Sequence, residues 1–379
     1  MHFQLTEDLT LIRDMAASFA EAELAPHAEH WDREKYLDRT VFEKAAELGF
    51  LSIYIPEEEG GTGLSRLASA MVFEQLAAGD VSHTAMMTIH NMASWMIASY
   101  ADADLKARYL PKLASGELIA SYCLTEPGAG SDAASLSTKA VRDGDEYVLN
   151  GAKQFISGAG WSDIYVVMAR TSDDGARGVS CFVVEKDMPG VSFGPNERKM
   201  GWNAQPTAQV IFEDARVPVS NRVGAEGDGF RFAMSGLDGG RINIGACSLG
   251  GAAAALKLAT DYAKERKQFG QAIAGFQNTQ FRLADMATEL EASQLMIYSA
   301  ADALDNRAPN AGVKCAMAKR FATDLCSKIA NDALQVHGGY GYLADYQVER
   351  IVRDLRVHQI LEGTNDIMRV IISRGLLRQ

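Results

Sequence analysis

The sequence predicts an α+β protein of several domains, helical at both ends and all-β in the middle, and three observations predict it. Apolar residues recur at helical spacing from residue 6 to about 115 and again from Phe230 to the C-terminus. Between them, short runs of β-branched and aromatic residues alternate with turn signals. A length of 379 residues also exceeds what one hydrophobic core usually serves. The expected divisions are residues 1–118, 119–228 and 229–379.

In the first helix Thr6 is a candidate cap, Glu7 and Asp8 suit the first turn, and Leu9, Ile12, Ala16 and Phe19 share one face. Helices are expected over Phe42–Leu48 ending at Gly49, over Ser65–Ala78 ending at Gly79, and over Ala85–Tyr100. The Gly- and Glu-rich stretch Ile55–Gly63 reads as a loop. Strands are expected over Ile119–Leu124, Tyr147–Leu149, Ile164–Met168, Val179–Val184 and Val210–Phe212, with a hairpin turn at Asp143-Gly144. Long helices follow over about 230–266, 276–305, 310–336 and 346–355, the third closed by Gly338 and Gly339. A last helix begins after Thr364, with Ile367, Val370 and Ile371 on one face.

The 37 Lys and Arg residues against 49 Asp and Glu give a net charge of -12, and no basic run occurs. That argues against nucleic acid or an anionic membrane as a partner. No stretch approaches ~20 uninterrupted apolar residues, so no membrane span is expected. The five scattered cysteines show no ligand spacing and read as reduced core residues, with no metal site. The start Met1-His2-Phe3 leads at once into a polar helix, without a signal or transit pattern, so a cytoplasmic location is expected.

Four stretches bear chemistry. In Leu361-Glu362-Gly363-Thr364-Asn365-Asp366 a lone carboxylate stands between an apolar pair and a glycine. A poorly solvated pocket there would raise its pKa and make Glu362 a general base near neutral pH; an exposed loop Glu is the alternative. The loop Thr125–Asp132 offers backbone N–H groups and hydroxyls to a polar ligand, or is a plain turn between strands. Arg266-Lys267 sits at a helix C-terminus, where cations complement the dipole with or without a ligand. Gln335-Val336-His337-Gly338-Gly339 is another glycine-bounded helix end.

Together TEPGAGSD, RKQFG, QVHGGYGY and LEGTND, in this order, resemble the acyl-CoA dehydrogenase family over nearly the whole chain. The resemblance implies an N-terminal helical domain, a middle β-barrel and a C-terminal four-helix bundle. It implies FAD, held by Tyr122, Leu124, Thr125, Gly130 and Ser131, by Phe155, Ile156 and Ser157, by Arg266, Phe269 and Gln277, by Gln335, His337, Gly338 and Gly339 across a subunit boundary, and by Thr364, Asn365 and Asp366. It implies an acyl-CoA substrate held by Ser131, Asp238, Arg241, Gly363 and Arg374, with Glu362 as catalytic base.

The implied reaction is α,β-dehydrogenation of the thioester, with electron-transfer flavoprotein as acceptor and a homotetramer as the assembly. Phe155 stands where many members have Trp, and Gly240 where some, including the isovaleryl branch, have their base, so Glu362 has no rival. Arg356–Gly363, Phe155–Gly160 and Gly201-Trp202-Asn203 look most like the isobutyryl-CoA branch, which implies a short branched substrate. Leu361 stands where medium-chain members have Tyr. An oxidase that reduces oxygen and an inactive acyl-CoA-binding scaffold are the competing readings.

Overall fold

The computed structural model describes residues 5–377; the Met1-His2-Phe3 start, on which the expected location rests, lies outside the described residues. The N-terminal part comprises α1 (Glu7–Phe19), α2 (Ala28–Glu34), α3 (Arg39–Glu47), α4 (Arg66–Gly79), α5 (Val81–Tyr100) and α6 (Ala103–Ala114). Thr6 caps α1 by accepting from the Leu9 amide at 3.3 Å. Short acidic or hydroxyl side chains set four more starts: Asp38 for α3, Ser65 for α4, Asp80 for α5 and Asp102 for α6. Asp38 and Asp80 therefore start α3 and α5 three and four residues earlier than apolar spacing suggested. Gly79 does not stop α4 in a left-handed turn. It stays helical, and a Cβ there would lie 2.8 Å from Ala20 O and from Leu24 Cβ, so glycine permits a close backbone crossing.

The middle part holds β1 (Ala120–Cys123), β2 (Lys139–Asp143), β3 (Glu146–Ser157), β4 (Ile164–Arg170), β5 (Val179–Glu185), β6 (Val191–Phe193), β7 (Thr207–Pro218) and β8 (Arg222–Val223). Asp143 pairs with Glu146, so the hairpin connection is Gly144-Asp145, one residue later than expected, with Gly144 at φ 63°. The hydrogen-bonded order is β6-β7-β3-β2-β4-β5-β8, with β1 parallel to β4. These pairings form an open path rather than a closed ring, so the expected barrel is an incomplete one, curled around its own core.

Alternation explains how β4 joins two cores. Tyr165, Val167 and Ala169 face the interior of the curled sheet with Phe182 and Phe212, while Ile164, Val166 and Met168 face α5 and α6. Both faces of β4 are thus buried, which is why it reads as a continuous apolar run.

The C-terminal part holds α7 (Gly229–Glu265), a small hairpin of β9 (Lys267–Gln268) and β10 (Gln271–Ala272), α8 (Gln277–Asp305), α9 (Ala311–His337), α10 (Val348–Arg356) and α11 (Asn365–Leu377). Helices α7, α8 and α9 pack mutually, α11 packs on α9, and α10 packs on α9 and α7. By length and composition α7 is long and apolar enough to cross a membrane, which the residue-by-residue reading passed over; most of it is buried against the rest of the protein, as a core helix is. Its glycines allow close approach: a Cβ at Gly250 would lie 2.1 Å from Glu74 O of α4. The loop 357–364, between α10 and α11, lies where α7, α9 and the sheet meet.

Candidate active site

Helix α10 buries Val348, Ile351 and Leu355 and runs into a single 3₁₀ turn, Val357–Gln359. His358 anchors that turn in the core. Its Nε2 accepts from Trp202 Nε1 at 3.2 Å, and its Nδ1–H donates to Ser248 Oγ at 2.7 Å. Burial keeps the ring neutral, its pKa pushed down to about 3. The chain then reverses through two left-handed residues, Glu362 at φ 55° and Gly363 at φ 84°. A glutamate in this region is strained, and such strain persists only where the surroundings fix it.

Those surroundings come from α9. Lys319 Nζ donates to Gly363 O and to Asn365 Oδ1, each at 2.9 Å. Asn365 in turn donates to Asp324 Oδ1 at 2.7 Å and to Thr323 Oγ1 at 2.9 Å. Thr364 Oγ1 accepts from the Ile367 amide at 3.2 Å and so caps α11.

Glu362 is half-buried, and its Oε2 is sealed from solvent without a hydrogen-bond partner. Burial drives its pKa up, the cations of Arg241 and Lys319 hold the rise back, and the result is about 7. Tyr122, on β1, has a buried hydroxyl that also lacks a partner; burial and then the Glu362 charge raise its pKa. From α7, Arg241 is bound to Asp238 at 2.5 Å through Nη1, while its buried Nε is unpaired. A Cβ on Gly240 would sit 2.4 Å from Glu362 Oε2 and 3.3 Å from Met92 Sδ. The glycine therefore makes the room the carboxylate occupies, and a side chain at 240 competes with it directly.

Buried polar atoms are nearly always satisfied. Three orphans at one place, Glu362 Oε2, Tyr122 Oη and Arg241 Nε, fit a site built for a polar ligand.

A second group of sequence-selected residues surrounds the turn after β1. The Glu126 and Ala129 backbones pair across a tight turn at Pro127-Gly128, so this part is a turn as well as a polar loop. Thr125 O accepts from the Gln154 amide at 2.8 Å, Leu124 O from Lys153 Nζ at 3.2 Å and Ser157 O from Ser121 Oγ at 2.6 Å. The loop is thereby fixed to a bulge in β3, where the register slips between Lys153 and Ile156. Phe155 sits on that bulge at φ 58° and is 63 % exposed, while Ile156 turns into the core. A strained backbone that presents an aromatic ring to solvent is a feature of ligand sites rather than of cores. Gly130 and Ser131 are exposed farther along the loop.

A third group converges at the other end of the bundle. Arg266, His337, Gly338 and Gly339 line one cavity of about 420 Å³ with Tyr262 and Tyr340. His337 stacks on Tyr262 at 4.4 Å, and the Arg266 guanidinium lies 5.4 Å from the Tyr340 ring. Arg266 makes no ion pair among the described residues. Phe269, at φ 51° and almost fully exposed, stands beside it on the β9–β10 turn. The resemblance implies that Gln335–Gly339 reach the cofactor across a subunit boundary. Within one chain Arg266 and His337–Gly339 share a cavity.

Other residues that the resemblance implies for the cofactor and substrate lie elsewhere in the single chain. The Asn365 side chain, expected at the cofactor, has its donors and acceptor occupied by Lys319, Thr323 and Asp324, so it ties the loop to α9. Asp366 is exposed and pairs with Arg369 at 2.8 Å. Gln277, Gln335 and Arg374 are exposed, and no contact ties them to Glu362. Tyr122 places its hydroxyl with the base rather than with the exposed loop that follows it.

Sequence reasoning missed Lys319, and also the buried pair Glu126–Lys153 at 2.7 Å that braces the turn. Burial pushes Glu126 up, but Lys153 and the amide donors outweigh it and bring the carboxyl down to about 2. The signal for Lys319 was present: it falls on the buried stripe of α9 with Cys315, Ala322, Cys326, Ala330 and Ala333.

Comparisons with known proteins identify the family. Residues 6–117, 121–215 and 227–377 match the models of the N-terminal, middle and C-terminal domains of acyl-CoA dehydrogenases. The chain is 57 % identical to the mitochondrial isobutyryl-CoA dehydrogenase of Dictyostelium discoideum over 373 residues, covering 98 % of this chain and 90 % of that one. It is 56 % identical to the bovine (Bos taurus) mitochondrial isobutyryl-CoA dehydrogenase over 375 residues, covering 99 % and 90 %. The solved butyryl-CoA dehydrogenase of Megasphaera elsdenii superposes with a TM-score of 0.97 at 36 % identity, each chain covered completely.

Proposed function

The chain belongs to the acyl-CoA dehydrogenase family, and from that premise we propose that it takes isobutyryl-CoA to methacrylyl-CoA, with Glu362 as the base. It is an FAD-dependent oxidoreductase acting on a short branched acyl-CoA. The observation that supports the role of Glu362 is its buried, unpartnered Oε2 with a pKa near 7.

The residues present fit FAD. The strained β3 bulge presents Phe155 beside the fixed 124–131 loop, and Arg266, with no ion pair among the described residues, shares a cavity with Gly338 and Gly339, where no neighbour lies within 4 Å of an added Cβ. When bound, FAD supplies the two-electron acceptor for a hydride from the β-carbon.

The protein's own part is proton abstraction and alignment. Glu362 takes the proton from the carbon next to the thioester carbonyl, its pKa near 7 suiting a base that works near neutral pH. The proton ends on the carboxyl, whose neutral form the desolvated pocket favours. Asp238 fixes one edge of Arg241 and leaves Nε for the substrate's polar part. Met92 packs beside Gly240, and half-buried Leu361 precedes the base, so apolar groups line the approach and exclude water.

Electron-transfer flavoprotein as acceptor and a homotetramer as assembly belong to the same proposal. The exposed Phe269, Tyr342 and Leu343 near the Arg266 cavity support association there.

The test is kcat/KM across isobutyryl-, butyryl-, 2-methylbutyryl-, isovaleryl- and octanoyl-CoA. Isobutyryl-CoA should lead. Butyryl- and 2-methylbutyryl-CoA should follow within about 10- to 200-fold, the usual worth of one methylene. A clear preference for octanoyl-CoA overturns the substrate assignment.

A further inference from the structure

Lys319 is fully buried, yet among the described residues no carboxylate lies within 4 Å of it. The contrast within the protein is Lys153, equally buried but paired with Glu126 at 2.7 Å. A buried ammonium is costly and normally persists by direct pairing. Both hydrogen-bond partners of Lys319 are neutral, the Gly363 carbonyl and the Asn365 amide oxygen, and both lie within three residues of Glu362. Burial lowers the Lys319 pKa to about 8; Glu362 first and Asp324 after it support the charge at longer range, against the repulsion of Arg241.

The contact is also mechanical. The Gly363 carbonyl belongs to the second of two consecutive left-handed residues, and Lys319 is the group that captures it. We propose that Lys319 is a positioning residue: from α9 it holds the 360–366 loop in its left-handed turn and keeps Glu362 ionisable at neutral pH. This rests on the reading of Glu362 as the base.

The groups that bear on Glu362 are Arg241 from α7, Lys319 from α9 and Tyr122 from β1. Burial raises the carboxyl pKa, Arg241 opposes that most and Lys319 next. Replacing Lys319 by a neutral residue removes one of the two opposing cations. The ionised form of Glu362 is then reached only at higher pH, and the loop loses its anchor.

The experiment uses FAD-loaded wild type, Lys319→Met, Glu362→Gln and the double variant. Anaerobic flavin bleaching by isobutyryl-CoA is followed from pH 5.5 to 9.5, with amide exchange of residues 360–366 as the readout independent of activity. In Lys319→Met the acid limb should move up by on the order of one pH unit. The rate should fall about tenfold at pH 7 and be partly regained by pH 9, while the loop amides exchange faster. In the Glu362→Gln background the same change should have no further effect on the rate.

An unmoved acid limb, or an equal fold-loss in the Glu362→Gln background, overturns the proposal. Rapid bleaching by Glu362→Gln alone would instead remove the base reading on which it stands. Should Lys319→Met fail to fold, Lys319→Gln, a shorter neutral donor, must show the same displaced limb.

Discussion

Glu362→Gln should stabilise the substrate-free protein above neutral pH while it removes the base. The substitution keeps the shape and deletes the charge. Burial raises the Glu362 pKa from the ordinary 4.5 to about 7, so the fold favours the protonated form. The stability linked to that preference is fully present below about 4.5 and is lost as pH rises through about 7. At pH 8.5 the parent therefore holds an ionised, unpartnered carboxylate at a cost of about 3 kcal/mol, from ~1.4 kcal/mol per pKa unit. That figure is a ceiling, because glutamine also leaves polar atoms in the same pocket.

Thermal unfolding of the two proteins at pH 5 and pH 8.5 measures the effect. Asp354 is also pushed up to about 7, by burial first and then by the charge of Asp80, so the pH trend of the parent alone is not diagnostic. The difference between variant and parent cancels that contribution. The expected result is a small gap in Tm at pH 5 that widens by several degrees in favour of glutamine at pH 8.5. Parallel Tm curves would refute the claim that the carboxylate is desolvated.

Two further substitutions test other parts of the site. Gly240→Ala places a Cβ 2.4 Å from Glu362 Oε2 and should slow flavin bleaching at least tenfold by displacing the carboxylate, with FAD content unchanged; bleaching at the parent rate would show that the pocket has slack. Arg266→Ala should weaken FAD retention more than it lowers the Tm of the FAD-free form. The reverse ranking would mean that the cation serves only the end of α7.

The order of helices and strands was legible because caps and apolar periods are local signals, and Thr6, Ser65 and Thr364 act as their positions suggest. Asp38 and Asp80 moved two helix starts because an acceptor side chain outranks apolar spacing at a first turn. Gly79 misled because glycine serves close packing as well as left-handed caps, and one sequence cannot separate those uses. Glu362 and Gly240 were legible as a pair of positions, but their mutual exclusion, with 2.4 Å between an added Cβ and the carboxylate, is a property of the fold alone.

Lys319 was missed for a physical reason. Lysine is ordinarily a surface residue, and its part appears only when α9 packs against a loop more than 40 residues farther on. The proximity of Arg266 to Gly338 and Gly339 was illegible for the same reason, since it appears only when the chain folds both into one cavity.

Anaerobic titration of the FAD-loaded protein with isobutyryl-CoA, beside Glu362→Gln treated identically, tests the central claim most directly. The wild type should bleach, and the variant should retain its FAD and its fold but reduce it slower by a factor of ~10² to ~10⁴, as for a lost general base. Near-normal bleaching by the variant would contradict the account.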